Sequence, residues 1–213
     1  QAADGTPAPS GSVPTLSGEP GAPGAELPGA PSREQAIGIS PRIAIETPTV
    51  SGSIALRGAR IDDLTLTQYE ETLAPDSPKV TLLSPEGSEK AYFSRFGWAP
   101  KPGSDVTLPN ANTLWTAEGG PLTQTSPVTL SWDNGEGLTF QQTIALDDNY
   151  LFTVTQRVTN TDGQGVTLFP YALVAFVGLP EGFSKQTIAH EGPIGYVGDK
   201  LHEIKYKELD EKG

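Results

Sequence analysis

The sequence predicts an all-β protein, a sandwich of large antiparallel sheets. Apolar and polar residues alternate along residues 128–132, 138–146 and 150–158, and a period of two is the pattern of half-buried strands. Turn clusters rich in Asp, Asn and Gly separate these segments, as they do in hairpins, because Asn and Gly accept positive φ. Since no helical period extends beyond two turns, these observations favour antiparallel sheets packed face to face.

Shorter strands are predicted earlier in the chain. Ile43 and Ile45 begin an even spacing of apolar residues that Val50, Ile54 and Leu56 continue, again the period of a strand. The predicted bounds of these strands are 43–46, 51–60, 62–67, 79–83 and 90–96.

Three successive turns, at 133–137, 147–149 and 161–165, predict a meander of four antiparallel strands. The fourth strand runs through Val166–Val177, where apolar residues are nearly continuous. A nearly continuous run of apolar residues predicts a strand buried on both faces. Residues 200–209 fit a helix and a strand equally well, so the sequence leaves their conformation open.

Residues 1–36 differ from the rest, with six Gly, seven Pro and no aromatic residue. A segment with so few bulky side chains cannot offset the entropy cost of ordering, so we expect a disordered tether. Its end-to-end distance would be roughly 30–35 Å. Residues 37–213 form the predicted folded domain.

The amino-acid composition excludes several classes of function. The 14 Lys and Arg against 26 Asp and Glu leave a net charge of −12, the wrong sign for nucleic acid or for electrostatic docking on anionic lipid. The absence of Cys excludes a disulfide scaffold and Cys-ligated metals. The absence of Met predicts that the sequence is an excised part of a longer chain.

The two histidines are the first candidates for catalysis, in the pairs His190-Glu191 and His202-Glu203. A sugar epimerase places a Glu and a His across a cleft as general base and acid. Neighbours along a strand point to opposite faces, so neither pair can form one site by itself. The sequence predicts no catalytic residue and no enzyme.

A calcium site is the next candidate, because Asp133-Asn134-Gly135-Glu136 resembles the start of a calcium loop. The twelfth position of that loop would be Ile144, where a bidentate Glu is required. The segment is therefore predicted to be a hairpin turn, with no metal and no cofactor bound. The adjacent acids Asp62 and Asp63 are expected on opposite faces of a strand or in a turn.

Three tryptophans raise the possibility of a carbohydrate platform, although such aromatics in a sandwich usually fill the core. Trp132 is in phase with Val128 and Leu130 and is assigned to the core. Trp98 lies among Gly97 and nearby prolines and is expected to be exposed. Trp115 is the third member of the set.

Several short sequence segments indicate which protein family the chain resembles. Residues 52–64 contain Gly-x-Ile-x-Leu-x-Gly followed by an acidic, apolar turn, which resembles the opening of the periplasmic domain of YidC-type membrane protein insertases. Residues 84–98, the Leu138-Thr139-Phe140 string with the meander after it, and residues 190–195 look like the same domain in an alphaproteobacterial branch. The resemblance covers about residues 43–213.

The resemblance implies a β-supersandwich, similar to galactose mutarotase folds, that stands in the periplasm and is tethered to the bacterial inner membrane. Insertion chemistry in the family belongs to a polar groove of the membrane core, so no functional residue carries over. The family domain continues beyond Gly213, and the sandwich is therefore expected to be truncated at its C-terminal end, with an exposed edge. The fragment itself is expected to be a monomer.

Three functions follow as hypotheses. The first is a non-catalytic periplasmic module of an insertase, which would contact Sec translocon accessory subunits or nascent membrane-protein clients. The second is a carbohydrate-binding or mutarotase-like epimerase domain, motivated by Trp98, His190 and His202. The third is a spacer that holds the insertase clear of its neighbours.

Overall fold

The computed structural model describes residues 29–177, 192–206 and 208. The chain divides into two compact units, with the boundary after residue 178. Antiparallel strands make up about half of the described residues, so the predicted all-β class is confirmed. In this part of the chain no helix is both long and apolar enough to cross a membrane.

One helix and twelve strands have defined bounds, and Tyr206 and Glu208 are also helical. The bounded elements are α1 (Arg33–Ile37), β1 (Arg42–Glu46), β2 (Val50–Ala55), β3 (Arg60–Glu70), β4 (Lys79–Leu83), β5 (Tyr92–Pro100), β6 (Thr116–Glu118), β7 (Val128–Asp133), β8 (Leu138–Leu146), β9 (Phe152–Asn160), β10 (Leu168–Phe176), β11 (Ile194–Val197) and β12 (Lys200–Glu203).

The first unit is a sandwich of two antiparallel sheets. One sheet has six strands in the order β1-β2-β3-β5-β10, with β4 paired to β3. The other has four strands in the order β6-β7-β8-β9. This arrangement confirms the predicted packing of antiparallel sheets.

The core lies between these sheets. In β8 every second residue is buried, so one face of the strand is excluded from solvent and the other is half-exposed. Phe140 and Ile144 on this face belong to the same apolar cluster as Ile54 and Ile61 of the opposite sheet. Burying one such side chain stabilises the fold by about 1.5–3 kcal/mol.

Strands predicted at 51–60 and 62–67 occur with a shifted boundary. The chain turns between β2 and β3 at Gly58 and Ala59, whose φ angles are +76° and +49°. A Cβ on Gly58 would lie 2.6 Å from the Ala111 carbonyl oxygen, so only Gly fits this close approach.

The predicted pairing partner of the fourth meander strand is wrong. β10 pairs with β5 from Leu168↔Pro100 to Phe176↔Tyr92, in the six-stranded sheet. The chain crosses from β9 to the other sheet here instead of turning back on β9. The meander therefore comprises β7, β8 and β9, with the short β6 added on its far side.

The predicted burial of this strand on both faces is also wrong. Val174 is 66% exposed and Phe169 is 40% exposed, whereas Ala175 is buried. Among the described strands β10 pairs with β5 alone. One face packs on Phe93 in a small separate cluster, and the other remains exposed.

The ambiguous residues 200–209 begin with a strand. β12 pairs with β11 in a hairpin of the second unit, with Tyr196 opposite Leu201. Gly198 and Asp199 form the turn with φ angles of +57° and +61°, as a two-residue hairpin of type I′ requires.

Helix α1 crosses the predicted end of the tether at residue 36. Ser32 caps it, because its hydroxyl accepts from the Gln35 amide while the Gln35 side chain accepts from the Ser32 amide. Arg33 pairs with Asp63 of β3. The division into a 1–36 tether and a 37–213 domain stays a prediction, and α1 indicates that ordered contacts begin before residue 37.

Candidate functional site

A cavity of about 440 Å³ opens in the first unit, with walls from both sheets. Its lining is hydrocarbon except for the hydroxyls of one serine and two tyrosines. The lining residues are Val50, Ile61, Leu64, Leu66, Tyr69, Leu82, Leu83, Ser94, Phe96, Tyr150 and Phe152.

The strand period builds these walls. Ser94 and Phe96 alternate with the outward-facing residues of β5, so both reach the inner face of the sheet. Leu64 and Leu66 do the same in β3. Phe152, the first residue of β9, lines the cavity from the four-stranded sheet.

Two tyrosines and a leucine form the rim of the cavity, which we call the mouth: Tyr69, Leu82 and Tyr150. The Tyr69 and Tyr150 rings lie 6.4 Å apart between centroids, tilted by 57°. Tyr69 is 53% exposed and Leu82 is 41% exposed. The mouth therefore presents aromatic and aliphatic surface to solvent.

Tyr150 holds its position through the turn between β8 and β9. Its φ is +67°, a left-handed conformation that is costly for a residue with a bulky side chain. The turn sustains it, because the Asp147 carboxylate accepts from the amides of Asn149 and Leu151, each at 2.8 Å. Burial first, and then neighbouring Tyr69, raise the pKa of the Tyr150 hydroxyl above its ordinary value.

Four acidic residues are close in sequence to the two tyrosines of the mouth. Two glutamates at 70–71 follow the first tyrosine, and two aspartates at 147–148 precede the second. Lys79 pairs with Glu70 at 3.0 Å and offsets one of these charges.

A second concentration of charge lies on the opposite face of the six-stranded sheet. Asp62 is fully buried and pairs with both Arg42 and Arg60. Arg60 also donates to Glu86 at 2.9 Å. These groups satisfy one another, so we assign them to the fold and not to a site.

The adjacent acids of β3 do not split across the sheet, contrary to expectation. The register with β2 shifts between Ser53 and Ile54, which oppose Asp63 and Ile61. This bulge leaves Asp62 as an extra residue, and a bulge turns neighbouring side chains to one side. Both carboxylates therefore reach arginines, Asp62 through Arg42 and Asp63 through Arg33.

The expected exposure of Trp98 is wrong. It is 6% exposed and stacks on Trp115 with ring centroids 6.5 Å apart. Phe140 meets it edge-on at 5.1 Å. Trp132 packs against Phe140 as well, at 5.8 Å, in agreement with its assignment to the core. The tryptophans therefore do not form an exposed sugar platform.

One histidine pair lies within the described residues, and neither of its members lines the cavity. His202 and Glu203 lie in β12 and are both exposed. His190 and Glu191 lie outside the described residues.

The predicted hairpin turn at 133–137 is present. The Asp133 carboxylate accepts from the Gly135 amide at 2.7 Å and from the Thr139 hydroxyl at 2.7 Å. The Thr139 hydroxyl is the larger of these two causes that lower the pKa of Asp133. Ile144, at the twelfth position from Asp133, is buried in the core. In residues 29–177, 192–206 and 208, no three His, Asp or Glu side chains form a group that could hold a metal.

Sequence reasoning missed the cavity. One indication of the cavity was present in the sequence, a local break in the alternation of apolar and polar residues. Leu82 and Leu83 are consecutive, and both line the cavity wall. Tyr150 and Phe152 also flank a turn, where apolar residues are uncommon. Neither break reveals that β4 and β9 meet across one space, because that depends on how the sheets stack.

The fold and the cavity define an all-β sandwich domain with an apolar cavity. A family profile described as the YidC periplasmic domain matches residues 42–213. Three relatives named membrane protein insertase YidC are similar to this chain. The one from Nitrobacter hamburgensis is 53% identical over 84% of this chain, that from Bradyrhizobium diazoefficiens 50% over 84%, and that from Caulobacter vibrioides 50% over 82%.

The chain therefore belongs to the YidC periplasmic domain family, and the resemblance seen in the sequence is confirmed. The family places the domain in the periplasm. The matches span 30%, 29% and 29% of the lengths of those three relatives. This chain thus corresponds to less than a third of each relative.

Proposed function

We propose that the chain is a non-catalytic partner-contact module of a membrane protein insertase. The relatives named as insertases support this proposal. The observation that carries it is the apolar cavity with its exposed tyrosine and leucine mouth on an acidic sandwich. Exposed apolar surface around a cavity is typical of a surface that meets a partner.

Membrane-protein clients are the partners proposed first. Their segments are apolar before they enter the bilayer, so they match the chemistry of the cavity wall. Accessory subunits of the Sec translocon are proposed as a second group of partners. The acidity of the chain disfavours anionic lipid headgroups as a docking surface.

Site-specific crosslinking in the full-length protein tests this function. A photoreactive residue at Tyr69 or Leu82 should give adducts with clients or with translocon subunits in native membranes. The matched control position is Glu118 of β6, an exposed residue that does not line the cavity. Absence of adducts at every surface position, with expression unchanged, would rule out a contact role.

The sugar-binding alternative has lost one of its motivating features, because Trp98 and Trp115 are buried. Adding glucose or galactose to the chain should leave its melting temperature unchanged. The anomer exchange rate should also stay at the uncatalysed value. A rise in either would return this alternative to consideration.

A further inference from the structure

We propose that Asn134 is a deamidation site, which the folded hairpin turn protects and which local opening of the turn releases for reaction. The turn at 133–137 is the segment that resembles the start of a calcium loop, and none of its residues lines the apolar cavity. The proposed site is therefore independent of the contact role.

The sequence supplies the reacting pair. Of the five asparagines in the chain, Asn134 is the one that precedes a glycine. In deamidation the Gly135 nitrogen bonds to Asn134 Cγ, the Cγ–Nδ2 bond breaks, and Nδ2 leaves as ammonia with the proton that the Gly135 amide gives up. Water then opens the cyclic imide at either carbonyl and yields aspartate or isoaspartate. Glycine favours the attack, because it has no Cβ to hinder its nitrogen.

The turn is open to solvent. Gly135 and Glu136 are exposed, and a Cβ built on Gly135 would meet nothing within 4 Å. Water and hydroxide therefore reach the turn in the folded chain. Protection of Asn134 has to come from hydrogen bonds and not from burial.

Three hydrogen bonds hold the Asn134 side chain. Its Oδ1 accepts from the Glu136 amide at 2.8 Å and from the Leu138 amide at 3.0 Å. Its Nδ2 donates to the Thr107 carbonyl oxygen at 3.2 Å. The departing Nδ2 must leave its acceptor and Cγ must turn one face to the Gly135 nitrogen, so all three bonds oppose the reaction.

A fourth contact holds the nucleophile. The Asp133 carboxylate accepts from the Gly135 amide at 2.7 Å and from the Thr139 hydroxyl at 2.7 Å. The Gly135 nitrogen has to lose its proton to react, and an anion that accepts from an N–H group favours the protonated form. Asp133 therefore slows the first step of the reaction.

The products fit the turn less well than asparagine. Aspartate at position 134 has no N–H group to donate to Thr107, and it adds a charge between Asp133 and Glu136. Isoaspartate also adds a carbon to the backbone, which shifts the bond from the residue 134 amide to the Leu138 carbonyl oxygen, 3.0 Å long in the asparagine form. Either product should loosen the β7–β8 hairpin beside buried Leu138.

Peptide mapping by mass spectrometry tests the proposal on the 213-residue chain. The chain is kept in alkaline buffer, either folded or unfolded in urea, and aspartate and isoaspartate at position 134 are quantified over time. The folded chain should deamidate at least about tenfold more slowly, because reaction waits for the turn to open. Asn149 is the internal control, since it precedes a tyrosine in another turn and should stay unmodified in both states.

Asp133→Ala isolates the effect of the carboxylate. Its folded rate, divided by its own rate in urea, should exceed that ratio in the unsubstituted chain by about threefold or more, because the Gly135 amide loses its anionic acceptor. Asp147→Ala is the matched control, since that carboxylate accepts from the amides of Asn149 and Leu151 in the next turn. Circular dichroism verifies that both variants are folded.

Hydrogen exchange gives a second measurement that needs no substitution. The Gly135 amide should exchange at least about tenfold more slowly in the folded chain than in urea. Equal deamidation of folded and unfolded chains would overturn the protection, and no reaction at Asn134 in urea would remove the site. Equal rate ratios for Asp133→Ala and Asp147→Ala would overturn the role of the carboxylate. Because these assays contain no partner, they leave the crosslinking test of the contact role undecided.

Discussion

Asp62 shows how one residue can organise a face of the sheet. It is fully buried and lies between Arg42 and Arg60. Asp62→Asn should lower the free energy of unfolding by about 3 kcal/mol or more, because two arginines lose a buried counter-charge. Urea unfolding followed by circular dichroism measures this change. Glu70→Gln is the control, since its pair with Lys79 is exposed and such pairs contribute about 0–1 kcal/mol. Equal effects of the two substitutions would contradict the assigned role.

Asp133 gives a prediction about titration. Its pKa is lowered first by the Thr139 hydroxyl and then by the Gly135 amide. A lowered carboxyl pKa stabilises the fold above the ordinary aspartate pKa, and this contribution is lost as the pH falls through the lowered value. Thr139→Val should raise the pKa of Asp133 toward its ordinary value, as NMR of the carboxyl carbon measures. Thr143→Val is the control on the same strand, because its hydroxyl contacts Thr129. An unchanged pKa in Thr139→Val would show that the amide alone holds it down.

At the scale of strands, local pattern predicts where a strand lies better than what it pairs with. The predicted 79–83 coincides with β4, because alternation and turn residues are local properties. The partner of β10 is not local, since β5 precedes it by the whole of the four-stranded sheet. Trp98 is a related case. Its neighbours resemble a loop, but it shares a face with Phe96 and so enters the core.

The pairing of β5 with β10 can be tested through a glycine. A Cβ on Gly97 would lie 2.6 Å from the ring of Tyr171 on β10. Gly97→Ala should therefore displace that ring and loosen β10, so amide exchange in 168–176 should be faster by about tenfold. Exchange in 138–146 should change little. Gly165→Ala is the control, because nothing lies within 4 Å of its added Cβ. Unchanged exchange in β10 would mean that Tyr171 moves aside without cost.

For the whole molecule, composition and charge indicate the kind of surface but not the site. A net charge of −12 disfavours nucleic acid and anionic lipid as partners. It does not show that apolar residues of β3, β4, β5 and β9 line one cavity. That placement follows from stacking two sheets, so the candidate site could not be predicted from strands taken singly.

The predicted domain boundary at residue 36 can be tested by N-terminal deletions. Composition predicts a tether through residue 36, yet Arg33 of α1 pairs with Asp63, which is buried in β3. Deleting 1–28 should therefore leave the free energy of unfolding within about 0.5 kcal/mol. Deleting 1–37 should lower it by about 1.5–3 kcal/mol, because Asp63 loses a charged hydrogen bond. Arg33→Met in the whole chain separates the ion pair from the rest of α1, and it should reproduce most of the loss. If both deletions were equally stable, the boundary at residue 36 would stand and α1 would contribute nothing to the fold.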